Sequence, residues 1–295
     1  MIKTNNLKFK YKDKTILRGI NLNVPIGSVY GFIGKNGEGK TTTLKLLLGL
    51  LPTPKNTIYY ENKLFEENKV KILSNVGNLI ETPCYYDNLT AFENLKYLNY
   101  IHKCGIDRIY YCLELVKLME VKDKKVKYFS TGMKQRLGIA MAIFHNPQVL
   151  YLDEPLNGLD PEGIHEIRNI ITNLKDLRKT IVISSHILNE LDKVCTHIGI
   201  LHNGNLSFQG EIKDLHKIGK RIIQIKSSNT KVAIDICKNN NFTVLNHCNE
   251  NIEIQINNDK EFNKIVRLIL DYNIDIYNIK SSDFDLEMAY MSTIN

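Results

Sequence analysis

Apolar and polar positions alternate in short stretches near the start of the chain. Residues 2–9 and 16–24 alternate in this way, which predicts strands with one buried face. Continuous apolar runs at 29–33, 149–152 and 180–184 predict buried strands, and the run at 149–152 is typical of a parallel sheet covered on both faces. Buried strands that are separated by helical segments predict an α/β domain.

Two helices with apolar stripes are predicted between the buried runs at 29–33 and 149–152. Thr90 and Glu93 have the spacing of a capping box, so we expect Thr90 to be the N-cap of a helix that continues to about residue 103. A second helix is predicted from about 106 to 120, and the two form a helical insertion at about 85–145. We interpret their apolar stripes as core. The stripes consist of Phe92, Leu95, Leu98, Ile101, Cys112, Leu115, Val116 and Met119.

The rest of the first domain follows from similar patterns. Further strands are predicted at 57–61 and 75–80, and further helices at 41–51, from about 130 to 144, and at 164–177. Asn203 and Gly204 stand between apolar runs at 198–201 and 206–209, which is typical of a type I′ hairpin turn.

The pattern changes after about residue 215. The remaining segments follow the order strand, helix, strand, strand, helix, strand, which matches a split βαβ unit. The chain is therefore predicted to have an α/β domain at 1–215 and a small accessory α+β domain at 216–295. The strands are predicted at 221–226, 242–246, 251–256 and 274–279, the helices at 230–239 and 260–271, with a short closing helix at 283–291.

Composition excludes few classes of protein. The 295 residues carry a net charge of +7, which we interpret as solvated lysine because no long basic run indicates a nucleic-acid tail. The six cysteines have no paired spacing and are expected to be free thiols of a reducing compartment. The first residues do not resemble a signal peptide, and no apolar run approaches the roughly 18–20 residues that cross a bilayer. Any work at a membrane is therefore expected to involve a partner.

A glycine-rich segment follows the apolar run at 29–33 and precedes an apolar helical segment. It fits the P-loop pattern G-x-x-x-x-G-K-[ST], in which backbone N–H groups surround phosphate oxygens. The N-terminus of the helix that follows adds its attraction for anions. Lys40 is expected to contact the β- and γ-phosphates, and the Thr41 hydroxyl to bind Mg²⁺. The segment consists of Gly34, Lys35, Asn36, Gly37, Glu38, Gly39, Lys40 and Thr41, with Thr42 after it.

Two acidic residues and a histidine follow buried strands. Asp153 ends one apolar run, and its carboxylate is expected to bind Mg²⁺ opposite Thr41. Glu154 is expected to polarise the water that attacks the γ-phosphate. His186 follows another run and is expected to donate to a phosphate oxygen and help to place this water. The alternatives are an exposed acidic turn and a structural histidine.

A second anion site is predicted where the helix near Ser130 begins. A serine hydroxyl and free N–H groups at a helix N-terminus attract anions. One domain cannot easily close both this segment and the glycine loop around one γ-phosphate, whereas two copies in a head-to-tail pair can. The segment contains Ser130, Thr131, Gly132 and Met133. Tyr11, between the first two predicted strands, is expected to stack on adenine; packing at a strand end is the alternative.

With these motifs, residues 1 to about 215 resemble the ATP-binding subunit of ABC transporters. The resemblance implies a P-loop NTPase fold, ATP and Mg²⁺ as cofactors, ATP hydrolysis, a homodimer or paired ATP-binding subunit, and a separate membrane permease. It also implies a location in the cytoplasm, at the inner face of the membrane. Six motifs occur in the family's order: Tyr11, the P-loop, the signature at 129–133, Walker B at 148–155, the D-loop with Asp160, and the switch histidine His186.

Several positions depart from the family pattern. Glu81 stands where the family usually has glutamine, and this resembles the subgroup that exports lantibiotics and bacitracin-like peptides, often for producer immunity. A glutamate there can still bind Mg²⁺ or orient water. Thr131 and Met133 replace the usual signature residues. Glu38 is unusual inside the P-loop and is expected to point away from phosphate. The segments at 83–95 and 284–290 are also similar to drug and peptide exporters.

The residues therefore favour the ATPase subunit of an exporter for an antimicrobial peptide. The alternative is a non-transport ABC ATPase that acts on ribosomes or nucleic acid, but such proteins usually carry two ATPase modules or a long coiled-coil insertion. A regulator with little hydrolysis is disfavoured by Glu154 and His186, and a P-loop kinase does not explain the segment at 129–133.

Overall fold

The computed structural model describes residues 1–218, 221–248, 251–256 and 259–282. The chain divides into two compact units, Met1–Ile212 and Lys213–Asn295, and each has its own hydrophobic core. The closing helix predicted at 283–291 and the exporter-like segment at 284–290 lie outside the described residues.

The elements of the first unit are as follows. Its strands are β1 (Ile2–Thr4), β2 (Leu7–Tyr11), β3 (Lys14–Ile20), β4 (Asn23–Val24), β5 (Val29–Ile33), β6 (Ile58–Tyr60), β7 (Lys63–Leu64), β8 (Val76–Leu79), β9 (Val149–Asp153), β10 (Thr180–Ser185), β11 (His197–His202) and β12 (Asn205–Glu211). Its helices are α1 (Lys40–Leu47), α2 (Phe65–Leu73), α3 (Ala91–His102), α4 (Ile106–Leu115), α5 (Thr131–Ile143), α6 (Pro161–Asp176) and α7 (Leu188–Asp192), and α8 (Ile212–Ile218) begins at the boundary.

The central sheet has six strands in the order β12-β11-β5-β10-β9-β8. The five strands from β11 to β8 are parallel, and β12 pairs antiparallel with β11. Every residue of β5, β9 and β10 is buried, as the continuous apolar runs predict for strands covered on both faces. The register sets Ser184 beside both Asp153 and Phe32, so the carboxyl ends of three central strands meet at one edge. The predicted α/β class is confirmed.

The two alternating segments near the N-terminus each form two strands, so the prediction of one strand apiece is wrong. The chain turns between β1 and β2 at Asn6, whose φ of 49° lies in the left-handed region that asparagine tolerates. The resulting strands belong to two different sheets. One is the smaller sheet β4-β1-β6-β7, and the other is the hairpin of β2 with β3. Alternation continues through the turn, which is why the pattern alone does not reveal the break.

The helical insertion differs from its prediction in one boundary. The capping box is confirmed, because Thr90 and Glu93 exchange side-chain to backbone hydrogen bonds of 3.1 and 2.7 Å. The second helix ends at Leu115 rather than 120, since Lys117 adopts a φ of 54° and reverses the chain. The prediction that the apolar stripes of these helices are core is wrong for Ile101 and Met119, which are 61% and 38% exposed. Three residues of the predicted stripes are fully buried: Leu95, Cys112 and Val116.

The second unit contains β13 (Arg221–Ser227), α9 (Thr230–Asn239), β14 (Thr243–Cys248), β15 (Asn251–Ile256), α10 (Asp259–Asp271) and β16 (Ile276–Ser282). The sheet is antiparallel in the order β14-β15-β13-β16, which is the split βαβ arrangement that the sequence predicts. Isoleucines on β13 and β15 pack with the apolar faces of α9 and α10. Among the described residues of both units, no helix is long and apolar enough to cross a membrane.

Candidate active site

The glycine loop connects the end of β5 to the start of α1. Gly37 and Gly39 have φ angles of 87° and 106°, in the left-handed region that favours glycine. A Cβ atom on Gly39 would lie 2.9 Å from side-chain methyl groups of both Ile16 and Leu17, so a larger residue there requires these side chains to move. Among the residues that the structure describes, no side-chain cap bonds the N-terminus of α1, where Gly39 is the N-cap, and the first N–H groups of a helix can bind an anion.

The Lys40 side chain is buried beneath this loop. Its ammonium group donates to the Gly34 carbonyl at 2.7 Å and lies 3.1 Å from a carboxylate oxygen of Glu154. The ammonium group is thus held by backbone carbonyls of the loop and by Glu154, at the place where a phosphate-binding loop positions its lysine. The exposed rim of the loop consists of Lys35, Asn36 and Gly37.

Asp153 and Thr41 come together at the carboxyl end of β9. The Thr41 hydroxyl donates to Asp153 Oδ2 at 2.8 Å, and the Ser184 hydroxyl donates to Asp153 Oδ1 at 2.5 Å. The carboxylate is buried, with 4% of the residue exposed, and the hydrogen bonds described for it come from these two hydroxyl groups. A hydroxyl next to one carboxylate fits Mg²⁺, which usually takes few protein ligands and completes its shell with water and phosphate oxygens. Thr42 lies in the same first turn of α1.

Glu154 lies between Lys40 and His186. Its Oε2 is 2.8 Å from His186 Nδ1, and its Oε1 faces the Lys40 ammonium as an ion pair but makes no hydrogen bond of good geometry. Its backbone N–H donates to the carbonyl and hydroxyl of Ser184, and a φ of 46° turns the side chain toward the loop. The structure thus brings the three predicted catalytic residues together, with Glu154 contacting Lys40 through one carboxylate oxygen and His186 through the other.

The Ser130 segment forms a separate site. Ser130 is the N-cap of α5, and its hydroxyl accepts from the Met133 N–H at 3.2 Å. Asp160 is the N-cap of α6 and accepts from the Gly163 N–H at 2.9 Å. The starts of the two helices line one groove of about 420 Å³, and none of its lining residues belongs to the glycine loop. Within one chain, therefore, the structure does not join the two predicted anion sites. The predicted residues in the groove are Ser130, Thr131, Gly132, Met133 and Asp160.

Comparison with known proteins decides the family. A family model described as ABC transporter matches residues 17–157. The bacitracin transport ATP-binding protein BcrA of Enterococcus faecalis is 42% identical over 241 residues, which cover 80% of this chain and 77% of that protein. The chain belongs to the family of ABC transporter ATP-binding proteins.

Other ABC proteins extend the similarity to the whole chain. BcrA of Bacillus licheniformis is 37% identical over 302 residues, covering 100% of this chain and 97% of that protein. The lantibiotic transport ATP-binding protein SrtF of Streptococcus pyogenes is 41% identical over 211 residues, covering 72% and 91% of the two chains. A solved dimeric structure of a bacterial ABC transporter cassette matches with a TM-score of 0.64 and 25% identity, covering 72% of this chain and 99% of that one. The chain is an ABC ATPase.

Two more of the predicted site residues, Tyr11 and Glu81, lie at the surface of this ABC ATPase. Tyr11 ends β2 and is 46% exposed, and its ring packs edge-on against Phe9 with centroids 4.9 Å apart. Glu81 follows β8 with a φ of 60°, and its carboxylate accepts from Lys45 Nζ at 2.6 Å. This hydrogen bond raises the pKa of Lys45. The structure therefore pairs Glu81 with α1, one turn after Thr41.

Glu81→Gln is expected to retain nucleotide binding and at least about a third of the ATPase activity, because an exposed ion pair contributes only about 0–1 kcal/mol. The substituted amide would still accept a hydrogen bond from Lys45. A larger loss is expected in transport than in hydrolysis by the isolated subunit. Nucleotide titration and steady-state ATPase assays check this, and loss of nucleotide binding would contradict it.

Two residues that support the candidate site or the signature helix were not among the predicted site residues. Ser184 bonds to both Asp153 and the Glu154 backbone, and aligning the ends of the two buried runs would have indicated this register. Arg136, in the signature helix, donates to the Val116 and Lys117 carbonyls at 3.1 and 3.0 Å. Its Nε lies 3.1 Å from a carboxylate oxygen of Glu166 on α6. No sequence signal pointed to these contacts of Arg136, because its partners are distant in the chain.

Proposed function

We propose that the chain is the ATP-hydrolysing subunit of an exporter for antimicrobial peptides and that it drives a separate transmembrane permease. The cluster of Thr41, Asp153, Glu154 and His186 around Lys40 is the observation that carries the hydrolytic part of the proposal. An acid, a histidine and a metal-binding pair beside a phosphate loop are the groups that γ-phosphate hydrolysis needs.

The proposed ligands of Mg²⁺ are Thr41 and Asp153, with Glu81 as a further candidate. The Asp153 carboxylate is held by two hydroxyl groups, which orient it without neutralising its charge. When bound, Mg²⁺ neutralises charge on the phosphate oxygens. The glycine loop and Lys40 hold the phosphates, and Tyr11 offers an exposed ring to adenine.

Glu154 is the proposed general base in hydrolysis. It accepts a proton from water, and the hydrogen bond between its Oε2 and His186 orients the carboxylate. In the structure Lys40 faces Glu154, so nucleotide binding exchanges this ion pair for contacts between Lys40 and phosphate. The exchange releases Glu154 to bind water only when a nucleotide is present.

A second copy of the chain is the proposed source of the remaining phosphate contacts. The segment from Ser130 to Met133 lies in a groove that excludes the glycine loop of its own chain, which supports a head-to-tail dimer. Helix N-termini carry partial positive charge, so α5 of one copy can contact the γ-phosphate held by the other. Closing such an interface yields binding free energy that a bistable permease can use.

The peptide cargo and the permease are proposed from the relatives. BcrA and SrtF are named for bacitracin and lantibiotic transport, and both are more than a third identical to this chain. An attached permease would hold the subunit at the inner face of the membrane. This location is proposed together with the permease.

The experiment is co-expression of the subunit with a candidate permease, a membrane protein encoded in the same genome, in a susceptible host. We expect increased tolerance to bacitracin or a lantibiotic, recovery of the subunit with the membrane protein, and loss of tolerance with Glu154→Gln. Recovery of the subunit with ribosomes and with no membrane protein would overturn the proposal.

A further inference from the structure

Glu38 places a negative charge inside a loop that binds phosphate. It lies between Gly37 and Gly39, two residues before the buried Lys40. A carboxylate near a triphosphate repels it, and this repulsion is strong where water is partly excluded. If the loop binds phosphate, as the proposed function requires, other groups must offset the charge of Glu38 or hold it away from the phosphates.

Both oxygens of the Glu38 carboxylate face the turn between β11 and β12. Oε2 accepts the Asn203 N–H at 2.5 Å, and Oε1 lies 3.3 Å from His202 Nδ1, a contact at ion-pair distance without the geometry of a hydrogen bond. The other ring nitrogen of His202 is 2.9 Å from the side-chain nitrogen of Asn203 and can accept its hydrogen. The ring proton of a neutral His202 then resides on Nδ1, facing the carboxylate. Only 13% of the Glu38 side chain is exposed.

The turn that receives Glu38 is itself fixed to β3. Asn203 and Gly204 have φ angles of 49° and 74°, as the predicted type I′ turn requires. The Gly204 carbonyl accepts the Arg18 N–H at 2.8 Å, and a Cβ atom on Gly204 would lie 2.4 Å from the Ile16 carbonyl. The turn therefore has little freedom to move away from the sheet.

The glycine loop rests on the same structure. A Cβ atom on Gly34 would lie 2.7 Å from the Leu201 carbonyl, and one on Gly39 would lie 2.9 Å from Ile16. The loop, the end of β11 and the middle of β3 are thus in close contact, with Glu38 as the polar link between the loop and the turn.

We propose that Glu38 is a positioning residue that joins the phosphate loop to the β11–β12 turn, and that His202 and the Asn203 N–H hold its charge away from the bound phosphates. The β11–β12 turn then acts on nucleotide binding through Glu38. Loss of the His202 side chain leaves the carboxylate held by the Asn203 N–H alone, so that Oε1 and its charge are free to turn toward the phosphates. Replacing Glu38 with glutamine removes the repulsion and keeps the bond to Asn203.

The test measures the Kd of a fluorescent ATP analogue with Mg²⁺ for the full chain. His202→Ala is expected to raise this Kd about 5- to 10-fold, where tenfold corresponds to about 1.4 kcal/mol of repulsion. Adding Glu38→Gln to this variant is expected to restore the Kd to within about twofold of the unaltered chain, because the amide oxygen of the substituted glutamine still accepts the Asn203 N–H. At high salt the defect of His202→Ala is expected to shrink, since screening weakens the repulsion.

Asn205→Ala is the matched control on the same turn, because the Asn205 amide lies only 3.4 Å from the Asn203 carbonyl and faces no part of the loop in the described contacts. We expect it to bind like the unaltered chain. An unchanged Kd for His202→Ala, a defect that Glu38→Gln does not relieve, or an equal defect in Asn205→Ala would each overturn the inference. Failure of the unaltered chain to bind the analogue would instead overturn the proposed function.

Discussion

Glu154→Gln is expected to reduce ATP hydrolysis at least about 100-fold, because a general base contributes roughly 10²–10⁴ to the rate. Glutamine has nearly the shape of glutamate but cannot accept the proton of the attacking water. ATP binding is expected to be retained or to become tighter, since Lys40 loses the ion pair that competes with phosphate. With hydrolysis blocked, the ATP-bound dimer is expected to persist.

Steady-state phosphate release and size-exclusion chromatography with ATP measure these effects. Glu120→Gln, an exposed acid in the turn Met119–Val121, is the matched control and is expected to hydrolyse ATP normally. Undiminished ATP turnover in Glu154→Gln would show that Glu154 is not the general base.

Gly132→Asp is expected to reduce hydrolysis at least about 100-fold without lowering thermal stability, since a negative charge at the start of a helix stabilises it by about 0.3–1 kcal/mol. Gly132 lies in the first turn of α5, and a Cβ atom there meets nothing closer than 3.9 Å, so the aspartate fits the isolated chain. In the proposed dimer the same carboxylate faces the γ-phosphate held by the other copy. Repulsion then prevents closure.

The measurements are a thermal melt, a nucleotide titration and an ATPase assay on the same preparation. Gly132→Asn has the same shape without the charge, and it is expected to retain at least about tenfold more activity than the aspartate variant, the ratio that about 1.4 kcal/mol of repulsion produces. Normal hydrolysis by Gly132→Asp would show that the Ser130 segment takes no part in ATP hydrolysis.

Sequence reasoning predicted the parts of the site that are local in the chain. The glycine loop is a contiguous motif. Asp153 and Glu154 directly follow a continuous apolar run, and such a run predicts a buried central strand. The cap at Ser130 is likewise a short-range signal. Each of these depends on residues within about one turn or one strand of the position concerned.

The missed features depend on contacts that are distant in the chain. Ser184 reaches Asp153 through strand register, and Glu38 reaches Asn203 across 165 residues of sequence. The end of α4 is set by a left-handed Lys117, a conformation that lysine rarely adopts and that propensity does not indicate. Helix α2 was not predicted because only Phe65 and Ile72 of its nine residues are buried, which leaves almost no apolar period.

A crystal structure of the Glu154→Gln variant with ATP and Mg²⁺ would show whether two chains share each nucleotide. We expect a head-to-tail pair in which each nucleotide lies between the glycine loop of one copy and Ser130 of the other. Nucleotides whose phosphates touch a single chain, with Ser130 open to solvent, would contradict it.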